Sequence, residues 1–329
     1  MRVILMTMKE LAKLANVSVA TVSKAFCDAE DISEETKHHI FEIAKQYGCY
    51  GKFYKGKYHK KIIAIICPEL ASNYYSRFVE DLQRLIEAAD CIAVISTDHF
   101  SAAQQSELVE YYASYLKVDG IILFDLRSPL KKGYEAPIVS LFSSQDHNVD
   151  SVNLDLESAI SGAVQVLTGL GHRHIAFLGE SLTLQKAMLY QKAMRDAGNP
   201  DIHIIQSSSR FEQAGEDGVK QLLSSNREFS AVICAYDNIA FGAIKQLKRA
   251  GLRVPGDVSV IGIDNISTSQ YTETALTSID TNPEEICMVA WDLLQKKIRN
   301  PYFRSRQNII IHGNLILRES VTKINGKED

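Results

Sequence analysis

Eight short apolar runs set the tightest limit on how this chain can fold. They are IIAIIC (62–67), CIAVIST (91–97), DGIILF (119–124), APIVSLF (136–142), HIAFLG (174–179), IHIIQ (202–206), AVICA (231–235) and VSVIGID (258–264). Most are apolar on both faces, the pattern of strands buried on both sides of a parallel sheet. Helical stretches separate them, among them RFVEDLQRLIEAA, GAVQVLTGL, GVKQLLSS and AFGAIKQLKRAG. Strand, helix and strand repeated in this way predict an α/β doubly wound architecture. The strands are too many for one small sheet, and SVNLDLES (151–158) reads as a joint. The expectation is two Rossmann-like lobes facing each other across a cleft. Ligands in such sheets bind beyond the carboxyl ends of the strands, and a two-lobed cleft can close by hinge motion.

The first 61 residues read differently. Three short helical patterns fit at about 9–14, 18–26 and 33–47, with Ser18 and Ser33 as N-caps. The segment GCYGKFYKGKYHKK (48–61) is basic and aromatic, carries three glycines and shows no core pattern, which is a linker composition. The expected division is an all-α head at 1–47, a linker at 48–61 and a two-lobed core at 62–329. Residues 1–61 hold 11 Lys/Arg against 7 Asp/Glu, and the remainder 25 against 33. A basic head on an acidic body points to a polyanion meeting the head alone; a lysine-rich solvated linker would give the same balance. The opening MRVILMTMKEL has too short an apolar run for a signal peptide, so a secreted solute-binding protein is not expected, and the natural start falls at Met6 or Met8. No run is long enough to span a bilayer. The six cysteines are scattered without metal-ligand spacing, so reduced thiols in a cytosolic protein are expected.

Residues 8–27 have the spacing of a helix-turn-helix. Ala12 is the small residue where two helices cross, and Asn16 can take the left-handed turn. Leu11, Ala15, Val17, Val22 and Ala25 supply the apolar packing. The second helix is then free to lay its first half, SVATVSK, in a major groove. No acid stands there to repel phosphate. The hydroxyls of Ser18, Thr21 and Ser23 can bond phosphate oxygens, and Lys24 can reach a phosphate or a guanine edge. β-Branched and hydroxyl residues are mediocre helix formers, tolerable where packing and DNA hold the element. A three-helix cap with an ordinary serine-rich helix is the other reading of the same residues.

MKELAKLANVSVATVSKAF, followed by ISEETKHHIFEIAKQYG, resembles the N-terminal domain of the LacI/GalR family of bacterial transcription regulators. GLGHRHIAFLGE, AVICAYDNIAFGAIKQLKRAGLRVPGDVSVIGIDN and ALTSID fall in the same family's order, so the resemblance runs from Thr7 to about Glu319. It implies a helix-turn-helix head, a hinge and a periplasmic-binding-protein-like core. It also implies a homodimer on palindromic double-stranded operator DNA, with affinity changed by a small-molecule effector, a sugar or another metabolite. The base-reading pair falls on Val19 and Ala20, which can touch a thymine methyl but make no hydrogen bonds. The usual basic residue falls on Lys24, and Cys27 stands where Asn is common. Thr7 joins this DNA-facing set.

The family's hinge helix wedges a leucine into the minor groove. Here the segment is shorter and has no leucine, and Gly51 and Gly56 each disfavour helix by roughly 1 kcal/mol. The expectation is a flexible basic strap in which Lys52, Lys55 and Lys57, with Lys60 and Lys61, track phosphates.

The resemblance places Tyr75, Asp155, Lys186, Tyr236, Asp237 and Asp264 in the effector cleft, with departures. Leu156 stands where the family has Asn, Lys186 where it has Arg, Leu189 where it has Gly, and Tyr236-Asp237 where it has Asn-Asp. Buried sugar hydroxyls left unpaired cost about 1–3 kcal/mol each, so an effector other than a common sugar is expected. Tyr236 either packs on its lobe or stacks on a ligand ring.

Catalysis finds no support. GxGxxG after a strand, the P-loop, HExxH and GxSxG are all absent from the sequence. His172 and His174 read as a helix end and a strand start rather than as metal ligands, and neither cofactor nor metal is expected. A cytosolic small-molecule sensor without a DNA-binding role is the alternative class.

Overall fold

A computed structural model describes residues 6–27, 29, 31–53, 60–199, 201–225, 227–300, 302–303 and 305–324. The chain divides into two compact units between Lys61 and Ile62. The head contains α1 (Met8–Leu14), α2 (Val19–Phe26), α3 (Glu34–Gln46) and a single turn, α4 (Tyr50–Phe53). Ser18 and Ser33 cap α2 and α3 as the sequence suggests, and Thr7 forms a capping box with Glu10 on α1. Asn16 turns the chain between α1 and α2 at φ 52°. Leu11, Ala12, Val22, Phe26, Ile40 and Ala44 form the head's core.

That core reaches further than composition indicates. Cys49 and Phe53 are buried in it. The Phe26 ring lies 5.1 Å from Phe41 and 5.9 Å from both Tyr50 and Phe53. Residues 49–53 are therefore part of the head and not linker, and Gly51 sits inside the α4 turn. Packing of Tyr50 and Phe53 on Phe26 and Phe41 offsets the roughly 1 kcal/mol that one glycine costs in a helical turn. Lys55 and Lys57, and the side chain of Lys52, fall outside the described residues.

The core has two six-stranded sheets. The first lobe contains β1 (Ile62–Cys67), α5 (Asn73–Ala88), β2 (Ile92–Thr97), α6 (Ala102–Glu110), β3 (Gly120–Leu126), β4 (Ile138–Ser144) and β5 (Asp150–Asp155). The second contains α7 (Leu156–Gly169), β6 (Ile175–Glu180), α8 (Leu184–Asp196), β7 (His203–Ser207), α9 (Phe211–Ser224), β8 (Ala231–Cys234), α10 (Asp237–Arg249), β9 (Ser259–Ile263) and β10 (Thr277–Asp280). The chain then returns to the first lobe as α11 (Pro283–Arg299) and β11 (Asn308–His312), and ends its sheets with β12 (Asn314–Ile316) in the second. The sheet orders are β11-β5-β4-β3-β1-β2 and β12-β10-β9-β8-β6-β7, parallel throughout except β12 against β10.

The chain thus crosses between lobes three times. The joint foreseen at 151–158 is the first crossing, and those after β10 and after β11 carry no composition signal. α9 and α10 touch backbone to backbone, because a Cβ at Gly242 would fall 1.8 Å from the Glu212 carbonyl oxygen. Among the described residues no helix is long and apolar enough to cross a membrane.

Candidate functional site

The exposed face of α2 is the first candidate. Val22, Ala25 and Phe26 turn inward, which leaves Val19 (44 % exposed), Ala20 and Lys24 outward. Apolar side chains gain nothing from water, so an exposed valine at the start of a short helix suits a base edge. Ser18 and Thr21 are already used once. Their hydroxyls lie 2.8 Å apart, and the Thr21 amide donates to Ser18 Oγ at 3.0 Å. Thr7 bonds Glu10 through both its amide and its hydroxyl. Ser23 is half-buried. Lys24 pairs with Asp31, which lowers the Asp31 pKa.

The second candidate is a cavity of about 390 Å³ between the core lobes. Its walls come from the carboxyl ends of the strands, as a doubly wound sheet requires. The first lobe contributes Glu69 after β1, Phe100 after β2, Asp125 near the end of β3 and Phe142 in β4; the second contributes Glu180 at the end of β6, Arg210 after β7, Tyr236 after β8 and Asp264 after β9. Phe100, Asp125, Phe142, Phe211 and Asp264 all hold positive φ. Left-handed backbone is costly for non-glycine residues, most of all bulky ones, and collects at functional sites.

Of the effector residues expected from the sequence, Tyr75, Lys186, Tyr236 and Asp264 line this cavity. Lys186 Nζ donates to the Ala235 carbonyl at 2.7 Å, lies 3.6 Å from Asp264 Oδ1 and stands 6.0 Å from the Tyr74 ring centre. Burial pushes the Asp264 carboxyl up to about 7, with Lys186 opposing. The Tyr236 hydroxyl donates to Glu180 at 3.2 Å and accepts the Phe211 amide at 3.0 Å, so its ring is braced at the cavity wall. Burial also raises the Tyr74 and Tyr75 hydroxyls.

Asp155 and Asp237 do not line the cavity. Asp155 caps α7, accepting the Ser158 amide at 3.0 Å, and pairs with His312 Nδ1 at 3.0 Å. A carboxylate one step before a helix is drawn to that helix's free N–H groups, and its neighbours Leu154 and Leu156 face the cavity instead. Asp237, the first residue of α10, is fully buried. It accepts from the Ile266 amide (2.9 Å), Ser269 (2.6 Å) and Ser278 (2.6 Å), so it braces the loop after β9. Burial pushes it up to about 6 against those three donors.

Sequence reasoning missed the charged residues Glu69, Asp125, Arg127, Glu180 and Arg210. The signal available was a charge at or just beyond the end of an apolar run, as in IIAIICPE and IILFDLR. His172 bonds Ser230 and the Thr322 carbonyl, and His174 pairs with Asp201. Among the described residues no group of three or more His, Cys, Asp or Glu could hold a metal.

A helix-turn-helix head with a two-lobed ligand cleft defines a DNA-binding transcription regulator. Residues 7–50 match the family model described as bacterial regulatory proteins, lacI family, and residues 164–321 that of a periplasmic binding protein-like domain. The chain belongs to the LacI family, whose members regulate transcription and are not enzymes. It is 28% identical over 331 residues to the HTH-type transcriptional repressor CytR of Escherichia coli K12, covering 95% of this chain and 96% of that one. It is 27% identical over 340 residues to the repressor PurR of Salmonella paratyphi B, covering 96% of each. Its fold matches the lac repressor dimer bound to operator and the anti-inducer ONPF with a TM-score of 0.73, at 20% identity over 96% of this chain and 99% of that one. A LacI family regulator from Enterococcus faecium with bound ribose matches with a TM-score of 0.71, at 21% identity over 80% of this chain and all of that one.

Proposed function

We propose that this protein is a repressor that binds a palindromic operator as a homodimer in the cytoplasm, and that a small ring-bearing metabolite in the core cleft changes its operator affinity. The outward, acid-free first half of α2 carries the DNA reading. Val19 and Ala20 meet base edges, while Lys24 and the remaining hydrogen-bonding capacity of Ser18, Thr21 and Ser23 hold phosphates. Two heads related by a two-fold axis read two half-sites. The named relatives CytR and PurR are repressors, and the lac repressor structure is a dimer on operator. The cleft supports the effector: aromatic walls suit a flat ring, and solved neighbours hold ribose and cellobiose.

An electrophoretic shift with the DNA upstream of the protein's own coding sequence tests the DNA reading. Wild type should shift a palindromic fragment, and Val19→Glu should not, because it sets an acid against the groove. Equal shifts by both would remove α2 from the interface. Thermal-shift screening of uncharged sugars, nucleosides and other ring metabolites tests the effector.

A further inference from the structure

Both arginines of the cleft are taken by carboxylates. Arg210, on the second lobe, reaches across to Glu69 on the first and donates two parallel hydrogen bonds, at 2.9 and 2.8 Å. Its Nε lies 3.4 Å from Glu180, and its guanidinium stacks 4.6 Å from the Phe211 ring centre. Arg127 donates at 2.7 Å to Asp98, which is fully buried. Lys186 donates to the Ala235 carbonyl and stands 3.6 Å from Asp264, too far to bond it. Alongside these three cations the lining sets four carboxyl groups, Glu69, Asp125, Glu180 and Asp264.

Two buried polar atoms of the lining go unpaired. Asp264 Oδ1 and Thr281 Oγ1 have no hydrogen-bond partner among the described residues, and both side chains are more than nine-tenths buried. A buried polar atom without a partner costs about 1–3 kcal/mol. A ligand hydroxyl, which both donates and accepts, would satisfy the Asp264 oxygen and the Thr281 hydroxyl alike. An anionic ligand would find Arg210 and Arg127 already paired with carboxylates and would itself face Glu69 and Glu180.

We propose that Glu69 is an internal counter-anion that reserves Arg210, so that the cleft takes uncharged, donor-bearing ring ligands and rejects their phosphorylated or carboxylated counterparts. A fork-to-fork carboxylate is the geometry a phosphate or carboxylate ligand would itself use on an arginine. Glu69 stands in that place and at the same time ties the two lobes. The inference rests on the proposed effector role of the cleft and adds its charge selectivity.

The test is calorimetry of the full chain with ribose 5-phosphate and with inorganic phosphate. Wild type should bind neither at millimolar concentration. Glu69→Gln should gain affinity for ribose 5-phosphate of about tenfold or more, because a neutral amide holds a guanidinium less well than a carboxylate. Glu69→Ala should gain at least as much. Adding Arg210→Gln to either should remove the gain. Wild-type binding of ribose 5-phosphate that Arg210→Gln abolishes would overturn the inference. So would folded Glu69→Gln and Glu69→Ala proteins that gain nothing. The comparison reads Arg210 directly, so a failure to find any uncharged effector would count against the effector role and not against this selectivity.

Discussion

Phe53 sets its ring 5.9 Å from that of Phe26 at an interplanar angle of 57°, and so carries the head's core past the end of α3. Phe53 is only 7 % exposed. Phe53→Ala should destabilise the head by about 3–5 kcal/mol, the usual cost of emptying a buried aromatic site. Phe53→Leu should recover most of it. Hydrogen exchange of the α1–α3 amides reads the head alone; protection unchanged in Phe53→Ala would show that the ring adds nothing to the head.

Lys24 should meet DNA only by leaving Asp31. The carboxylate competes for the same ammonium, and exposed pairs of this kind are weak and screened by salt. Asp31→Asn should therefore tighten operator binding a few-fold at low salt, with the gain fading as salt rises. Lys24→Ala should weaken binding by about 1–3 kcal/mol if it reads a base, or uniformly across sequences with a shallower salt slope if it holds phosphate. Operator titrations at several salt concentrations decide. A Lys24→Ala protein with unchanged affinity and slope would place Lys24 outside the interface.

Several features of this fold were legible because they follow from local periodicity. Both-face apolar runs mark parallel strands wherever they occur, and Asn16 after a short apolar helix marks a turn. The head's extent was not legible, because Tyr50 and Phe53 sit among lysines and glycines and only their packing on Phe26 and Phe41 reveals them. The second and third lobe crossings were not legible either, since nothing in TNPEE or HGN distinguishes a crossing from a loop. The family resemblance assigns Asp155 and Asp237 to the cleft. Their carboxylates are captured by partners that the sequence does not display, a helix N-terminus in one case and Ser269 and Ser278 in the other. Glu69 and Arg210 are 141 residues apart in sequence, and only the fold shows that they meet.

Asp155 can be tested as a cap rather than a ligand. Asp155→Ala loses both the Ser158 bond and the His312 pair, and should cost about 0.5–2 kcal/mol, the range for a lost N-cap. Asp155→Asn keeps an acceptor for the Ser158 amide and should cost less. The Ser158 amide, then its hydroxyl, holds the Asp155 carboxyl below its ordinary value, with His312 adding to this. Its contribution is present above about pH 4 and lost as pH falls through the lowered value. Urea midpoints at neutral pH and in acid below about pH 4, compared across the three proteins, check this. Equal losses for Ala and Asn would assign the effect to the His312 pair instead of the cap.

Asp264 should show the opposite slope. Its carboxyl is pushed from 3.8 up to about 7, first by burial and then by the nearby Asp237, with Lys186 opposing. Between about pH 4 and pH 7 the folded chain keeps this proton while the unfolded chain releases it. The folded state then binds more protons, so this group's effect on stability worsens as pH rises through that window. Asp264→Asn has no proton to lose. Its stability relative to wild type should be near level at about pH 4, rise through the window and plateau above pH 7, with a gain of about 2–4 kcal/mol at the plateau. Lys186 keeps its bond to the Ala235 carbonyl in the variant, so its own charge is not stranded. Thermal unfolding of both proteins across this pH range measures the difference. A gain that is flat with pH would mean that Asp264 is ionised throughout, already paired with Lys186.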